Sequence, residues 1–332
     1  MTMARSNSGS GAGPALILLA MLPAGCGDGA APVPLLEGVA DVATHADGRR
    51  PIGELYADYL GLLEQGWALD VIVESRPAGT EVALPIVALR SPQAGQAVWL
   101  LSGIHGEETA GPNAIAAAIA DIAELGARHP VVLMPLLNPQ GYARNWRYLN
   151  VPVYSETVDG QSVGDSSHLL PVEPGSTESR APRASSPEAA AITAYVLRMA
   201  ASYPPRYSID LHEDDLIDEG YVYSQGIEGP ADPLALLAVD ILKSNGIPLK
   251  LDGQTRFGEP IEGGIIGPVT DSSIDELMSA GTVLVGGRSM PGPAAGTVLV
   301  FETPAAAIAF EQRVAAHLAL IRRLAGSMAT GP

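Results

Sequence analysis

Val98-Trp99-Leu100-Leu101-Ser102-Gly103-Ile104-His105-Gly106-Glu107-Glu108-Thr109-Ala110-Gly111-Pro112-Asn113 is the stretch that decides the fold. Four apolar residues in succession, bounded by Gly103, predict a strand buried on both faces. The alanine- and isoleucine-rich run over 113–125 predicts the helix that follows. His105 and Glu108 then stand in the turn leaving a strand's carboxyl end, where open α/β sheets put their ligands. A three-residue gap inside such a turn lets an imidazole and a carboxylate converge on one point, as zinc requires. The pair taken alone has a second explanation, in which His105 closes the strand and the two glutamates face the positive amino end of the next helix. Residues elsewhere in the chain decide between the two.

Upstream, residues 52–65 carry apolar side chains at helical spacing and stop near Gly66. Two β-type runs, 81–89 and 97–104, flank Ser91-Pro92-Gln93-Ala94-Gly95 and are expected to form a hairpin. Downstream, the apolar run 131–137 is another buried strand, parallel to the first through a right-handed crossover, and it empties into the turn Asn138-Pro139-Gln140-Gly141-Tyr142. A polar, proline-rich stretch runs from there to Ser186, which caps a helix beginning at Pro187. Tyr207-Ser208-Ile209-Asp210-Leu211-His212 is a strand that delivers His212 to its tip; Asp210 is expected on the opposite side of that strand and outside any ligand set. Residues 221–224 form a strand and 233–243 a helix, while 252–285 yields only a short helix near 273–278. The last buried strand, Thr297-Val298-Leu299-Val300-Phe301-Glu302, sets one glutamate at its end, and a helix over 305–324 closes the chain. The expected fold is α/β, a single-domain three-layer sandwich with a mixed, mostly parallel central sheet.

Three strand ends thus present His105 with Glu108, then His212, then Glu302. Two histidines and one carboxylate leave a fourth zinc position open, the layout of a catalytic site and not of a structural one. At this point the chain resembles the zinc carboxypeptidase superfamily, which also contains the succinylglutamate desuccinylase and aspartoacylase deacylases. The resemblance covers roughly residues 80–325. It rests on His105-Gly106-Glu107-Glu108 as the His-x-x-Glu pair, on the Asn138-Pro139-Gln140-Gly141 turn, on Asp210-Leu211-His212 and on Phe301-Glu302, in family order. It implies zinc held by His105, Glu108 and His212, with Glu302 as general base. Arg144 resembles the family's carbonyl-polarising arginine, and Arg147 is the runner-up; Arg147, His168 and Asn138 are the candidate substrate contacts. Glu107 is a weaker rival to Glu108. One departure matters: where family peptidases carry an Asn-Arg pair that grips a terminal carboxylate, Ser167 and His168 stand here. The bidentate guanidinium fork is missing from that place.

The implied activity is hydrolysis of an amide in a peptide-like substrate, with an N-acyl amino acid deacylase or a cell-wall peptide amidase as alternatives within the enzyme class. A binding lipoprotein on a retired hydrolase scaffold is the alternative outside it. Composition narrows the partners. The 332 residues carry 37 acids against 19 bases, a formal charge of −18, with Lys243 and Lys250 the only lysines. Such a surface repels phosphate backbones, so nucleic acid and anionic membranes are not expected as partners. The apolar run 15–22 follows Arg5 and precedes small residues, as in a secretory signal of residues 1–26. Pro23-Ala24-Gly25-Cys26 resembles the cleavage box of bacterial lipoproteins, although the leucine lies four places before the cysteine and not three. The chain is expected to be exported, to the periplasm or cell envelope or as a secreted protein, with a lipid anchor at Cys26 as its only membrane contact. Residues 27–40 are the tether and 41–330 the catalytic domain. A single cysteine offers no thiolate cage, so a metal must use histidine and carboxylate.

Overall fold

The 98–101 run lies within a strand, β3 (Ala97–Ser102), buried at every position. Successive side chains point to opposite faces, so β3 feeds two cores: Val98 and Leu100 pack into one, Trp99 and Leu101 into the other. The next strand, β4 (Val131–Met134), divides the same way, with Val131 and Leu133 against Val132 and Met134. The computed structural model describes Val39 and residues 42–77, 79–149, 166–255 and 257–328. The expected signal segment, Cys26, nearly all of the tether and residues 150–165 of the proline-rich stretch lie outside these described residues.

Ten more strands complete the main sheet and a separate hairpin: β1 (Ala68–Ser75), β2 (Leu84–Arg90), β5 (Pro205–Asp214), β6 (Tyr221–Ser224), β7 (Asp252–Gln254), β8 (Pro260–Glu262), β9 (Ile265–Ile266) and β12 (Thr297–Pro304) in the sheet, with β10 (Thr282–Val285) and β11 (Arg288–Pro291) paired on their own. The sheet runs β1-β2-β4-β3-β5-β12-β6-β9-β8-β7. Its four central strands, β4-β3-β5-β12, are parallel. Helices α1 (Ile52–Leu60), α2 (Ala110–Ala117), α3 (Ile119–Arg128), α6 (Pro233–Ser244) and α8 (Phe310–Met328) cover one face, and α5 (Pro187–Ala200) and α7 (Ile274–Ser279) the other. The short α4 (Pro139–Arg144) follows β4. This is the three-layer α/β sandwich with a mixed sheet that the chain order implies.

Several local expectations change. The runs around 81–89 and 97–104 do not form a hairpin, because β4 inserts between β2 and β3, antiparallel to the first and parallel to the second. The Ser91–Gly95 composition marks a turn but does not choose the partner on its far side. The helix expected over 113–125 starts earlier, at Ala110, and is broken at Ala118. The last helix starts at Phe310 and not at 305. The glycine-rich segment beyond 252 supplies the antiparallel edge β7-β8-β9 and the hairpin.

What matters for chemistry is the register. β3, β5 and β12 are neighbours, Ser102 pairs with Leu211, and His212 pairs with Glu302. Parallel strands end at one edge, so the turn after β3, the tip of β5 and the tip of β12 open onto the same crevice.

Candidate metal centre

The turn after β3 is fixed by two glycines meeting back to back. A Cβ on Gly106 would lie 2.1 Å from the carbonyl carbon of Gly141, and one on Gly141 would lie 2.3 Å from Asn138 Nδ2. Only glycine allows that approach, so the His105 turn and the Asn138 turn form one unit. Asn138 N donates to Gly103 O at 2.7 Å and Gly106 N to Arg147 O at 3.3 Å, tying the two turns together.

On this base His105 Nδ1 stands 2.7 Å from Glu108 Oε1, and His212 Nδ1 stands 3.0 Å from Glu108 Oε2. Ligand atoms of His105, Glu108 and His212 all lie within 4.8 Å of one another. The imidazoles cross nearly edge to face, centroids 5.2 Å apart. Glu108 Oε2 also accepts from Glu213 N at 3.1 Å. Burial alone would raise the Glu108 carboxyl, but the two imidazoles outweigh it and hold the group well below its usual range. Burial likewise works against a charge on His212, and Asp210 and Glu108 overcome it, so its pKa rises. Two imidazoles closing on an ionised, buried carboxylate form a donor set that fits a divalent cation, and histidine with carboxylate suits zinc.

Glu302 faces this group from β12, its Oε1 4.0 Å from His212 Nδ1. Its Oε2 is buried and has no hydrogen-bond partner among the described residues. Burial raises its carboxyl well above the usual range; His212 opposes this and Glu108 adds to it. The four residues share a cavity of about 860 Å³.

Asp210 corrects the expectation made for it. Positions two apart on a regular strand share a face, and Asp210 Oδ2 lies 3.2 Å from His212 Nε2, on the side away from Glu108. A carboxylate behind a ligating imidazole fixes ring orientation and raises basicity. The alternation Asp210-x-His212 was the signal available for it. Asp275, on α7, completes a second buried group with Asp210 and His212. It stands on the short helix expected near 273–278, the one element legible in that glycine-rich region.

The arginines exchange places. Arg147 reaches the cavity, with Nη1 2.7 Å from Glu107 and 2.9 Å from Glu108. Arg144 does not: its guanidinium bonds Gln140 Oε1 and lies 5.5 Å from the Trp146 ring centre, outside the cavity lining. Asn145 causes the exchange, since its left-handed backbone (φ 62°) ends α4 and turns the chain back toward the site. Asn138 does not line the cavity either. It is fully buried, accepts from Gly141 N at 2.8 Å and donates to Arg147 O at 3.1 Å, so it caps α4 and positions Arg147. His168 sits in a turn held to the α7 side by Ser166 N donating to Ser272 O, and it is not in the cavity lining. Glu107 pairs with Arg147 and stays out of the ligand group.

Residues 94–252 match the family model of the succinylglutamate desuccinylase/aspartoacylase catalytic domain. No curated protein matches the chain. Among solved structures, the fold is similar to that of a "putative metallopeptidase" from Shewanella baltica OS155, at 22% identity over 82% of this chain and 93% of that one, TM-score 0.62. It is also similar to bovine thrombin-activatable fibrinolysis inhibitor in complex with tick carboxypeptidase inhibitor, at 14% identity over 86% and 98%, TM-score 0.54. A metallo-carboxypeptidase from Burkholderia cenocepacia follows, at 13% identity over 83% and 69%, TM-score 0.52. At such identities the likeness is one of fold. The family match spans His105, Glu108 and His212 and stops before Glu302, and together with the shared three-layer fold it makes the chain similar to the zinc carboxypeptidase-like superfamily.

Proposed function

We propose that this chain is an exported zinc-dependent hydrolase that cleaves an amide bond in a peptide-like substrate. The observation that carries the reading is the convergence of His105, Glu108 and His212 within 4.8 Å, with Glu302 beside them. Zinc held by those three side chains would supply Lewis acidity toward a carbonyl oxygen and a water. Glu302 would take a proton from the attacking water and return it to the nitrogen as the C–N bond breaks. Its placement suits that work: it stands at the cavity wall, away from bulk water. Asp210 would hold the His212 ring through Nε2, and Arg147 would face the carbonyl oxygen as negative charge develops there.

The test is metal analysis joined to turnover. Purified chain should contain close to one zinc; a chelator should abolish hydrolysis of a blocked peptide, and added zinc should restore it. Hydrolysis untouched by complete metal removal would end this assignment. Arg147→Ala should lower kcat by about 10²–10³-fold, the usual loss for one donor to an oxyanion, and Arg144→Ala by far less. Equal losses would return Arg144 to the chemistry.

The match of 94–252 favours a second reading, release of the acyl group from an N-acyl amino acid. Ser167 and His168 in place of an Asn-Arg pair, with His168 outside the cavity lining, also weaken C-terminal exopeptidase specificity. Comparing a blocked peptide with an N-acyl amino acid separates the two readings. Export rests on the 15–22 apolar run and on Cys26, as a lipoprotein or a secreted form. No helix of the described residues is long and apolar enough to cross a membrane.

A further inference from the structure

Beyond the cavity, the fold holds a buried cation that the hydrolytic step does not use. Arg49 lies ahead of α1, and its side chain is fully buried. A buried guanidinium is costly unless its donors are met. All three of its nitrogens find acceptors, on three separate segments of the chain. Nε donates to Asp47 Oδ1 at 2.8 Å, and Nη2 to Asp47 Oδ2 and, at 2.6 Å, to Asn145 Oδ1. Nη1 donates to the carbonyl of Tyr142 and, at 3.3 Å, to that of Gly106. The guanidinium also lies 5.2 Å from the centre of the Tyr142 ring.

Two of these acceptors belong to backbone that aims side chains into the site. Gly106 follows His105, and its N already donates to Arg147 O, so Gly106 is gripped at both ends. Asn145 is the left-handed residue that turns the chain so that Arg147, and not Arg144, enters the cavity. A residue other than glycine stays in that conformation only where its surroundings hold it there. Here Trp146 N donates to Gly141 O at 2.9 Å, and Arg49 fixes the Asn145 side chain. Tyr142 O is among the last carbonyls of α4, which lack partners inside the helix and favour a cation beside them. The arm that carries Arg49 is itself tied down, with His45 N donating to Ala143 O at 2.9 Å and Tyr142 Oη to Arg50 O at 2.9 Å. This arm lies outside residues 94–252, the stretch that matches the deacylase family.

We propose that Arg49 is a positioning residue for the reaction: it locks the Asn145 turn against the His105 turn and so holds Arg147 at the cavity wall. The inference rests on the hydrolase reading for the work of Arg147 on a carbonyl oxygen, but the lock itself does not. Arg49 is not in the cavity lining, so its effect on turnover passes through the residues it holds. Lysine cannot take its place, because an ammonium directs its donors from a single nitrogen and does not span acceptors on three segments.

The experiment measures kcat, KM, zinc per chain and melting temperature for Arg49→Lys, alone and combined with Arg147→Ala, with backbone hydrogen exchange followed by mass spectrometry. Arg49→Lys should lower kcat by about 10–100-fold, the usual loss for an outer partner of a metal site, while KM and zinc content stay near their wild-type values. On top of Arg147→Ala the same change should cost less than about twofold, because the group it positions is already gone. Exchange should quicken in 104–108 and 141–147 and not elsewhere. Undiminished kcat, or an equal loss with and without Arg147, overturns the proposal, and unchanged exchange in those two segments overturns it whatever the kinetics. Loss of zinc also overturns it, by placing the work of Arg49 on the ligand pair. Faster exchange throughout, with a much lower melting temperature, overturns it by making Arg49 a prop of the whole fold. If the wild type cuts neither a blocked peptide nor an N-acyl amino acid, the hydrolase reading fails and exchange alone decides: quickening confined to the two turns upholds the lock.

Discussion

Glu302→Gln is expected to lower turnover by about 10²–10⁴-fold, the range that positioned proton transfer contributes, with zinc content unchanged. The substitution is nearly isosteric, so the tip of β12 keeps its pairing to β5, where Glu302 sits opposite His212. It also keeps the side chain out of the ligand group, which is built from His105, Glu108 and His212. What it removes is the carboxylate's capacity to accept a proton from water. Glutamine can still hydrogen-bond, so substrate binding should hold and the loss should fall on kcat and kcat/KM together. Parallel assays of kcat and of zinc per chain decide the matter. Full turnover would deny Glu302 its role, and loss of zinc with turnover would make it a ligand and not a base.

The parts of this site that were legible in the sequence are those carried by backbone regularity. A run of apolar residues predicts a buried strand, a parallel strand delivers its last residues to a shared edge, and β3, β5 and β12 could each be found that way with His105, His212 and Glu302 at their ends. The order of strands was less legible, because β2, β3 and β4 look alike as apolar runs and only pairing shows β4 between the other two. The direction of side chains in irregular backbone was not legible at all. Arg144 and Arg147 are three residues apart in the same basic stretch, and the left-handed turn at Asn145 decides which of them reaches the cavity. Asn138 illustrates the same limit from the other side: the motif marks a position that matters, but its side chain joins two turns and does not line the cavity. The short helix that carries Asp275 was legible near 273–278, but six residues are too few for periodicity to show which of its side chains faces the cavity.

Arg313→Ala should cost about 3–5 kcal/mol of stability, the usual result of stranding one partner of a buried ion pair. Glu213 is 2% exposed, and its carboxylate is shared by three elements. Arg313 of α8 pairs with Oε1, Thr303 of β12 approaches the same oxygen at 3.5 Å, and the backbone of Ala110 at the start of α2 donates to Oε2 at 2.7 Å. Even with Arg313 present, burial keeps the Glu213 carboxyl above its usual range, so the pair only partly offsets desolvation. Removing both charges in Glu213→Gln/Arg313→Met should therefore recover much of the loss, which a double-mutant cycle on thermal or urea unfolding would measure. For a domain of this size the single variant should melt on the order of ten degrees lower. The centre should feel it as well. Glu213 N holds Glu108 Oε2 at 3.1 Å, so a shift of Glu213 misplaces a ligand oxygen, and zinc affinity should fall by about 10–100-fold, as it does when outer partners of a metal site are lost. An Arg313→Ala protein with wild-type stability and undiminished zinc affinity would show that this pair neither braces the fold nor orients Glu108.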